Sequence, residues 1–420
     1  MTGATRSAAV AWLLTAVMYF YQYVLRTAPA VMLPQLSAAF GITTVAVASM
    51  VGLIYYAYAP FSLVAGVALD RWGARRVIPL GAASVAVGAL LFSTGRVPLA
   101  SAGLLMLGAG GVFGIVGGVY IASKNFPASK AGTLIGATQL FGMAGGSAGQ
   151  FLVGPAIAAG MVWSSFWLTM GVVGFVICAG LLVFLPAAQP ARGSGWLAAA
   201  ARALATVFRN PQSILCGVIA GLLFIPTTIF SMVWGVRYLQ EAHGFDYGSA
   251  VMRSAAVPFG WIIGCPLMGY ISDRIGRRKP VIIGGAALLL ACLAWILFGP
   301  RDVLPPYALG LLTGIASGAA MLTYTVIKEV NPAELSGTAT GVVNFINFMF
   351  SALLGPVFAG LLAAATGGVA PLQAMHYQSV FKPLLFGVGL AMALTLLLRE
   401  TGTAAKSRAA VTPAKSKTGR

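Results

Sequence analysis

At 420 residues the chain is long enough for two or three soluble domains, but its composition excludes them: 59% of residues are hydrophobic, 8% are charged, and the mean hydropathy is +0.90. A net charge of +18 would suggest nucleic acid in a soluble protein. Here the basic clusters lack interleaved aromatics and a recognition module, so nucleic acid is excluded as a partner.

Apolar runs of about twenty residues or more read as transmembrane helices. Twelve are expected, at roughly 9–36, 43–69, 77–95, 99–124, 131–159, 163–185, 211–240, 247–272, 281–299, 303–328, 336–366 and 377–399. Between the sixth and seventh runs Pro186 to Gly195, rich in turn residues, marks a break. The stretch from Trp196 to Phe208, with Arg202 and Arg209, reads as an amphipathic helix on the membrane surface. These signals divide the chain into a six-helix bundle (1–186), a linker (187–210), a second six-helix bundle (211–400) and a basic tail (401–420) expected to be disordered.

Of the 26 Lys and Arg residues, 20 fall on the side that carries both termini. The positive-inside rule therefore predicts cytoplasmic termini. The first run is too long for a cleavable signal and no small-residue cleavage site follows it, so none is expected. Cys178, Cys216, Cys265 and Cys292 lie in apolar runs at no metal-ligand spacing and read as packing residues. Neither metal nor cofactor is expected, and no Gly-xxxx-Gly-Lys-Ser/Thr phosphate loop occurs.

One stretch occurs twice. Gly66-Val-Ala-Leu-Asp70-Arg71-Trp-Gly73-Ala-Arg75-Arg76 returns as Gly269-Tyr-Ile-Ser-Asp273-Arg274-Ile-Gly276-Arg277-Arg278-Lys279, and both Asp70–Asp273 and Gly73–Gly276 are 203 residues apart. The same offset separates Gly41 from Gly244, and Tyr120, Lys124 and Pro127 recur as Tyr324, Lys328 and Pro332. Two halves on one plan indicate a duplicated transporter fold. The paired loop resembles the signature of the major facilitator superfamily. That resemblance spans about residues 9–400 and implies an all-α membrane protein of twelve transmembrane helices in two pseudo-symmetric bundles. It also implies that the loop latches one conformation, through Asp70, Arg71, Gly73 and Arg75 in the first copy and Asp273, Arg274, Gly276 and Arg277 in the second. Gly73 and Gly276 suit the tight turn.

Arg26 is the sharpest single signal. It sits mid-span, with Tyr19, Gln22 and Tyr23 on the same helix face by i, i+3, i+4, i+7 spacing. A charge there costs at least about 2.5 kcal/mol, so it should face a cavity or a partner. None of the eight acids lies at the middle of a span. A deep arginine without a deep carboxylate favours an anionic cargo, because guanidinium grips carboxylate in two places. Further candidate contacts are Gln139 on the fifth span, Trp234 with Thr227 and Ser231 on the seventh, Asn344 and Asn347 with Thr340 and Ser351 on the eleventh, and Lys124 and Lys328 at span ends. Each polar stripe could equally join helices, and the lysines could equally snorkel. Tyr55, Tyr56 and Tyr58 read as packing aromatics.

The expectation is a non-enzymatic, monomeric secondary transporter of the bacterial inner membrane, moving a small organic anion of the carboxylate-metabolite type by alternating access. Coupling has three options: a proton through Glu329 or Asp70, anion exchange, or a proton carried on the substrate. The alternative function is proton-coupled efflux of drugs or lipophilic cations, which needs a deep acid. A non-transporting receptor and an intramembrane enzyme are weaker rivals.

Overall fold

In lipid every backbone N–H and C=O must be satisfied within the chain, so apolar runs of this length wind into helices. The computed structural model describes residues 3–126, 128–185, 196–300, 305, 307–332, 335–366 and 373–402. The expected linker residues 187–195 and tail residues 403–420 lie outside these, as do the side chains of Asp70 and Arg71.

The first half holds α1 (Gly3–Thr27), α2 (Leu33–Phe40), α3 (Thr44–Val51), α4 (Leu53–Trp72), α5 (Ala74–Ser93), α6 (Val97–Asn125), α7 (Ala128–Phe151), α8 (Val153–Ala158) and α9 (Trp163–Phe184). After α10 (Trp196–Arg209), the second half holds α11 (Pro211–Ile225), α12 (Gly235–His243), α13 (Tyr247–Ile275), α14 (Lys279–Phe298), α15 (Ala308–Ser317), α16 (Met321–Glu329), α17 (Ser336–Thr366) and α18 (Ala374–Leu397). Among the described residues eleven helical stretches are long and apolar enough to cross a membrane. The expected fifth span is the pair α7–α8, where Gln139, Ser147, Gln150 and several glycines dilute the apolar character. Chain direction puts the start of α1 and the end of α18 on one face, here the terminal face; the opposite is the far face.

Several expected spans are interrupted where the chain bends. The first breaks at a 3-10 turn, Ala28–Val31, which contains Pro29; a proline donates no N–H and disfavours helix at the residue before it, although α13 runs through Pro258 and Pro266. The seventh is wound as a π-helix from Pro226 to Trp234, a winding concentrated at functional sites. Side chains tie this winding to α13: Ser254 Oγ donates to Ser231 O at 3.1 Å, and Ser231 Oγ to Ser254 O at 3.4 Å. Gly41 and Gly244, at equivalent positions of the halves, both end helices in the left-handed region with φ of 66° and 69°, a conformation that favours glycine.

The halves meet along two seams, α4 against α17 and α7 against α13. One apolar core cluster spans both halves near the far face, with Leu36 and Val47 from the first and Trp234, Phe358 and Phe381 from the second. At the terminal face α10 lays Val207 and Phe208 toward α17, where Phe208 and Phe345 meet edge-on at 6.1 Å.

Candidate functional site

The last turn of α1 delivers Arg26 to the interior between the halves, where it is 3% exposed. Thr27 fixes that turn, its Oγ1 donating to Gly146 O of α7 at 2.9 Å. The guanidinium lies among four aromatic faces: Tyr58 at 4.3 Å, Tyr23 at 4.4 Å, Phe348 at 5.3 Å and Tyr55 at 5.4 Å from Cζ. Its hydrogen bond is from Nη2 to Gln22 Oε1, at 3.3 Å. Nε and Nη1 have no hydrogen-bond partner among the described residues, and neither do Gln22 Nε2, Tyr58 Oη and Asn347 Oδ1. No described carboxylate lies within ion-pair distance of Arg26. The arrangement is a buried, cation-π-stabilised positive charge with N–H groups to spare.

The expected neighbours divide. Gln22, Tyr19 and Tyr23 share the face as predicted; Tyr19 and Tyr23 pack edge-on at 5.0 Å, and Tyr19 Oη donates to Gln139 Oε1 at 3.4 Å. Asn344 and Asn347 join the site's edge through Tyr324: its Oη donates to Asn344 Oδ1 at 3.0 Å and accepts from Asn347 Nδ2 at 3.1 Å. Asn344 Nδ2 also donates across the halves to Ser62 Oγ at 2.8 Å. Trp234 goes elsewhere. It is buried in the far-face core, with the Arg237 guanidinium 5.9 Å from its ring. The face shared by Thr227, Ser231 and Trp234 presumes 3.6 residues per turn, which the π-helix does not keep. Thr227 instead accepts from Trp261 Nε1 at 2.9 Å. Lys124 and Lys328 end α6 and α16 at the terminal face, Lys124 exposed and 6.0 Å from the Tyr120 ring. Among the described residues no contact joins either lysine to Arg26. The members that sequence reasoning missed are Tyr55, Tyr58 and Phe348; the i, i+3 tyrosine pair was the available signal.

The second signature loop centres on Arg278, which is not among the residues expected in the latch. Its Nη1 meets Asp273 Oδ1 at 2.5 Å and Ser272 Oγ at 3.0 Å, and its Nη2 meets Glu329 Oε1 at 3.1 Å. Burial opposes its charge, but the hydrogen bonds to Glu329 and Asp273 hold the guanidinium above its ordinary range. Glu400 caps α14, accepting from the Arg278 N–H at 2.6 Å and the Lys279 N–H at 3.3 Å. Thr401 Oγ1 donates to Glu329 Oε2 at 2.6 Å. Of the residues expected here, Asp273 takes part directly and Gly276 makes the turn at φ 68°. Arg277 lies 3.7 Å from Glu400, while Arg274 turns outward onto Tyr270 Oη at 2.7 Å. In the first copy Gly73 turns at φ 76°, and Arg75 is exposed; the Asp70 and Arg71 side chains are outside the described residues.

At the far face the halves close on each other. Arg237 pairs with Glu241 at 2.8 Å and bonds Thr44 of the first half; Tyr377 Oη donates to Glu241 Oε2 at 2.8 Å. Tyr247 Oη donates to Val31 O at 2.6 Å, also across the halves.

Residues 15–356 match the Major Facilitator Superfamily. The chain belongs to that family. It is a transporter and not an enzyme, a multi-pass membrane protein built to bind a small molecule. Among curated relatives of this superfamily member, the hexuronate transporter of Bacillus subtilis is 24% identical over 355 residues, 76% of this chain and 80% of that one. The gentisate transporter of Corynebacterium glutamicum is 29% identical over 165 residues, 38% of this chain and about a third (34%) of that relative's length. A crystal structure of a nucleoside transporter shares the fold with a TM-score of 0.70 at 12% identity, covering 92% of this chain and 99% of that one.

Proposed function

We propose that the protein is a secondary transporter that carries a small organic anion, of the carboxylate-metabolite type, across the bacterial inner membrane. The halves alternate access to it, and both termini lie in the cytoplasm. One observation carries the reading: Arg26 is buried between the halves with two N–H-bearing nitrogens unpartnered and no described carboxylate to neutralise it. A carboxylate docking there would gain a bidentate, charge-assisted contact in a low-dielectric setting. Gln22 Nε2 and Asn347 Oδ1 are spare groups for a second polar function on the substrate. The hexuronate and gentisate transporters supply relatives whose names specify anions. Efflux of lipophilic cations is the weaker reading, since a cation would meet a positive site.

The test is thermal stabilisation of the purified protein by a panel of mono- and dicarboxylates, sugar acids, amino acids and cationic dyes. A rise in melting temperature with one anion class, lost in Arg26→Gln, is the expected result. Stabilisation by dyes alone, or an anion response unchanged by Arg26→Gln, would overturn the reading.

A further inference from the structure

We infer that Phe348 sets the resting conformation of the empty carrier by acting as the movable wall of the aromatic box that stabilises Arg26. The inference rests on the reading of Arg26 as the substrate-gripping charge, and it concerns the steps of the cycle with no substrate aboard.

A buried guanidinium with no carboxylate beside it keeps its charge while the site is empty, and the ring faces around it are what stabilise that charge. Three of the four aromatic faces around it, Tyr23 of α1 and Tyr55 and Tyr58 of α4, belong to the same half as Arg26. They travel with it whichever way the halves tilt. Phe348 alone comes across the seam, from α17, and lies 5.3 Å from Cζ. It is held there by stacking on Tyr55, at 5.9 Å with planes 13° apart, and by edge contact with Tyr58 at 4.5 Å. It is 3% exposed, and Phe224 braces it from behind at 5.5 Å. The cation-π contact to Phe348 therefore exists only when the halves are juxtaposed as here, with the far face closed. A bound anion would neutralise Arg26 in any arrangement and make the Phe348 face dispensable. The empty carrier is thus biased toward the far-closed form by a ring–charge contact, and substrate relieves that bias.

The readout is far-face opening in substrate-free protein. Val251 is buried in the seam against Gly154 of the other half, so Val251→Cys, with the four native cysteines changed to alanine, reports opening by its rate of reaction with a polar maleimide in nanodiscs. Phe348→Leu keeps apolar bulk and removes the ring face; Phe348→Tyr keeps the face. We expect Phe348→Leu to raise the labelling rate several-fold and Phe348→Tyr to leave it near the parent value. In an Arg26→Gln background the effect of Phe348→Leu should vanish. An equal rise with and without Arg26 would reduce Phe348 to seam packing and overturn the inference, as would no rise at all. Because no substrate is present, these outcomes are independent of whether the cargo is an anion.

Discussion

Among the described residues two arginines are buried, Arg26 between the halves and Arg278 in the second signature loop. Arg26 was legible from the sequence because a lone charge mid-span has few bland explanations, and its helix-face companions Tyr19, Gln22 and Tyr23 follow from spacing alone. Of its other aromatic walls only the i, i+3 spacing of Tyr55 and Tyr58 left a trace in the sequence, and that spacing alone reads as packing, since these rings and Phe348 come from other helices. Arg278 was missed for a different reason. The offset of 203 that pairs Asp70 with Asp273 also pairs Arg75 with Arg278, whereas Arg277, expected in the latch, stands one residue out of register. The two copies differ in surroundings: Arg278 is 8% exposed and shared by Asp273 and Glu329, whereas Arg75 is exposed. The Glu329 position has Asn125 as its counterpart, which donates to the Ile121 carbonyl at 3.1 Å. Arg278→Gln should therefore cost about 2 kcal/mol, the value of hydrogen bonds to charged groups, and lower the melting temperature. Arg75→Gln should shift it little; equal shifts would mean that the paired carboxylates carry no weight.

At the level of the helices, the twelve-span plan was readable from hydropathy and the duplicated loop. Their internal breaks were not, because winding is set by tertiary partners. The π-helix of Pro226–Trp234 is sustained by the Ser231–Ser254 exchange and by Gln150 Nε2 reaching Ser231 O at 3.5 Å from the other half, contacts that no local pattern announces. That winding carries Trp234 to the far-face core. Glycine has a plainer role where helices touch. A Cβ on Gly314 would collide with the Val257 carbonyl oxygen and with Gly260, so α15 and α13 approach backbone to backbone. Gly389 has nothing within 4 Å of such a Cβ. Gly314→Val should destabilise by about 1–3 kcal/mol or more through overpacking, and Gly389→Val should be nearly silent; thermal unfolding of the two variants side by side decides it.

Across the whole molecule, the far-face contacts are the ones that must break if access alternates. Arg237 on Thr44, Tyr247 on Val31 and Val251 on Gly154 all join one half to the other there. A disulfide between Gly154→Cys and Val251→Cys, whose side chains would be adjacent, is expected to stop transport into vesicles and to release it on reduction. Full transport by the oxidised protein would show that this seam never opens. The sequence pointed to two halves and a signature loop. It did not show which face closes, because closure depends on pairings far apart in the chain, such as Arg237 with Thr44 and Tyr247 with Val31, 193 and 216 positions apart.

The docking of Glu400 onto the start of α14 also bears on how the chain is made. The cap joins residues 122 positions apart, so the N–H groups of Arg278 and Lys279 must wait for it until residue 400 has left the ribosome. Thr401 reaches Glu329 later still. The charge cluster of the second half is thus completed only by the last described residues, and a nascent chain interrupted before residue 400 lacks the clasp even with every span already inserted.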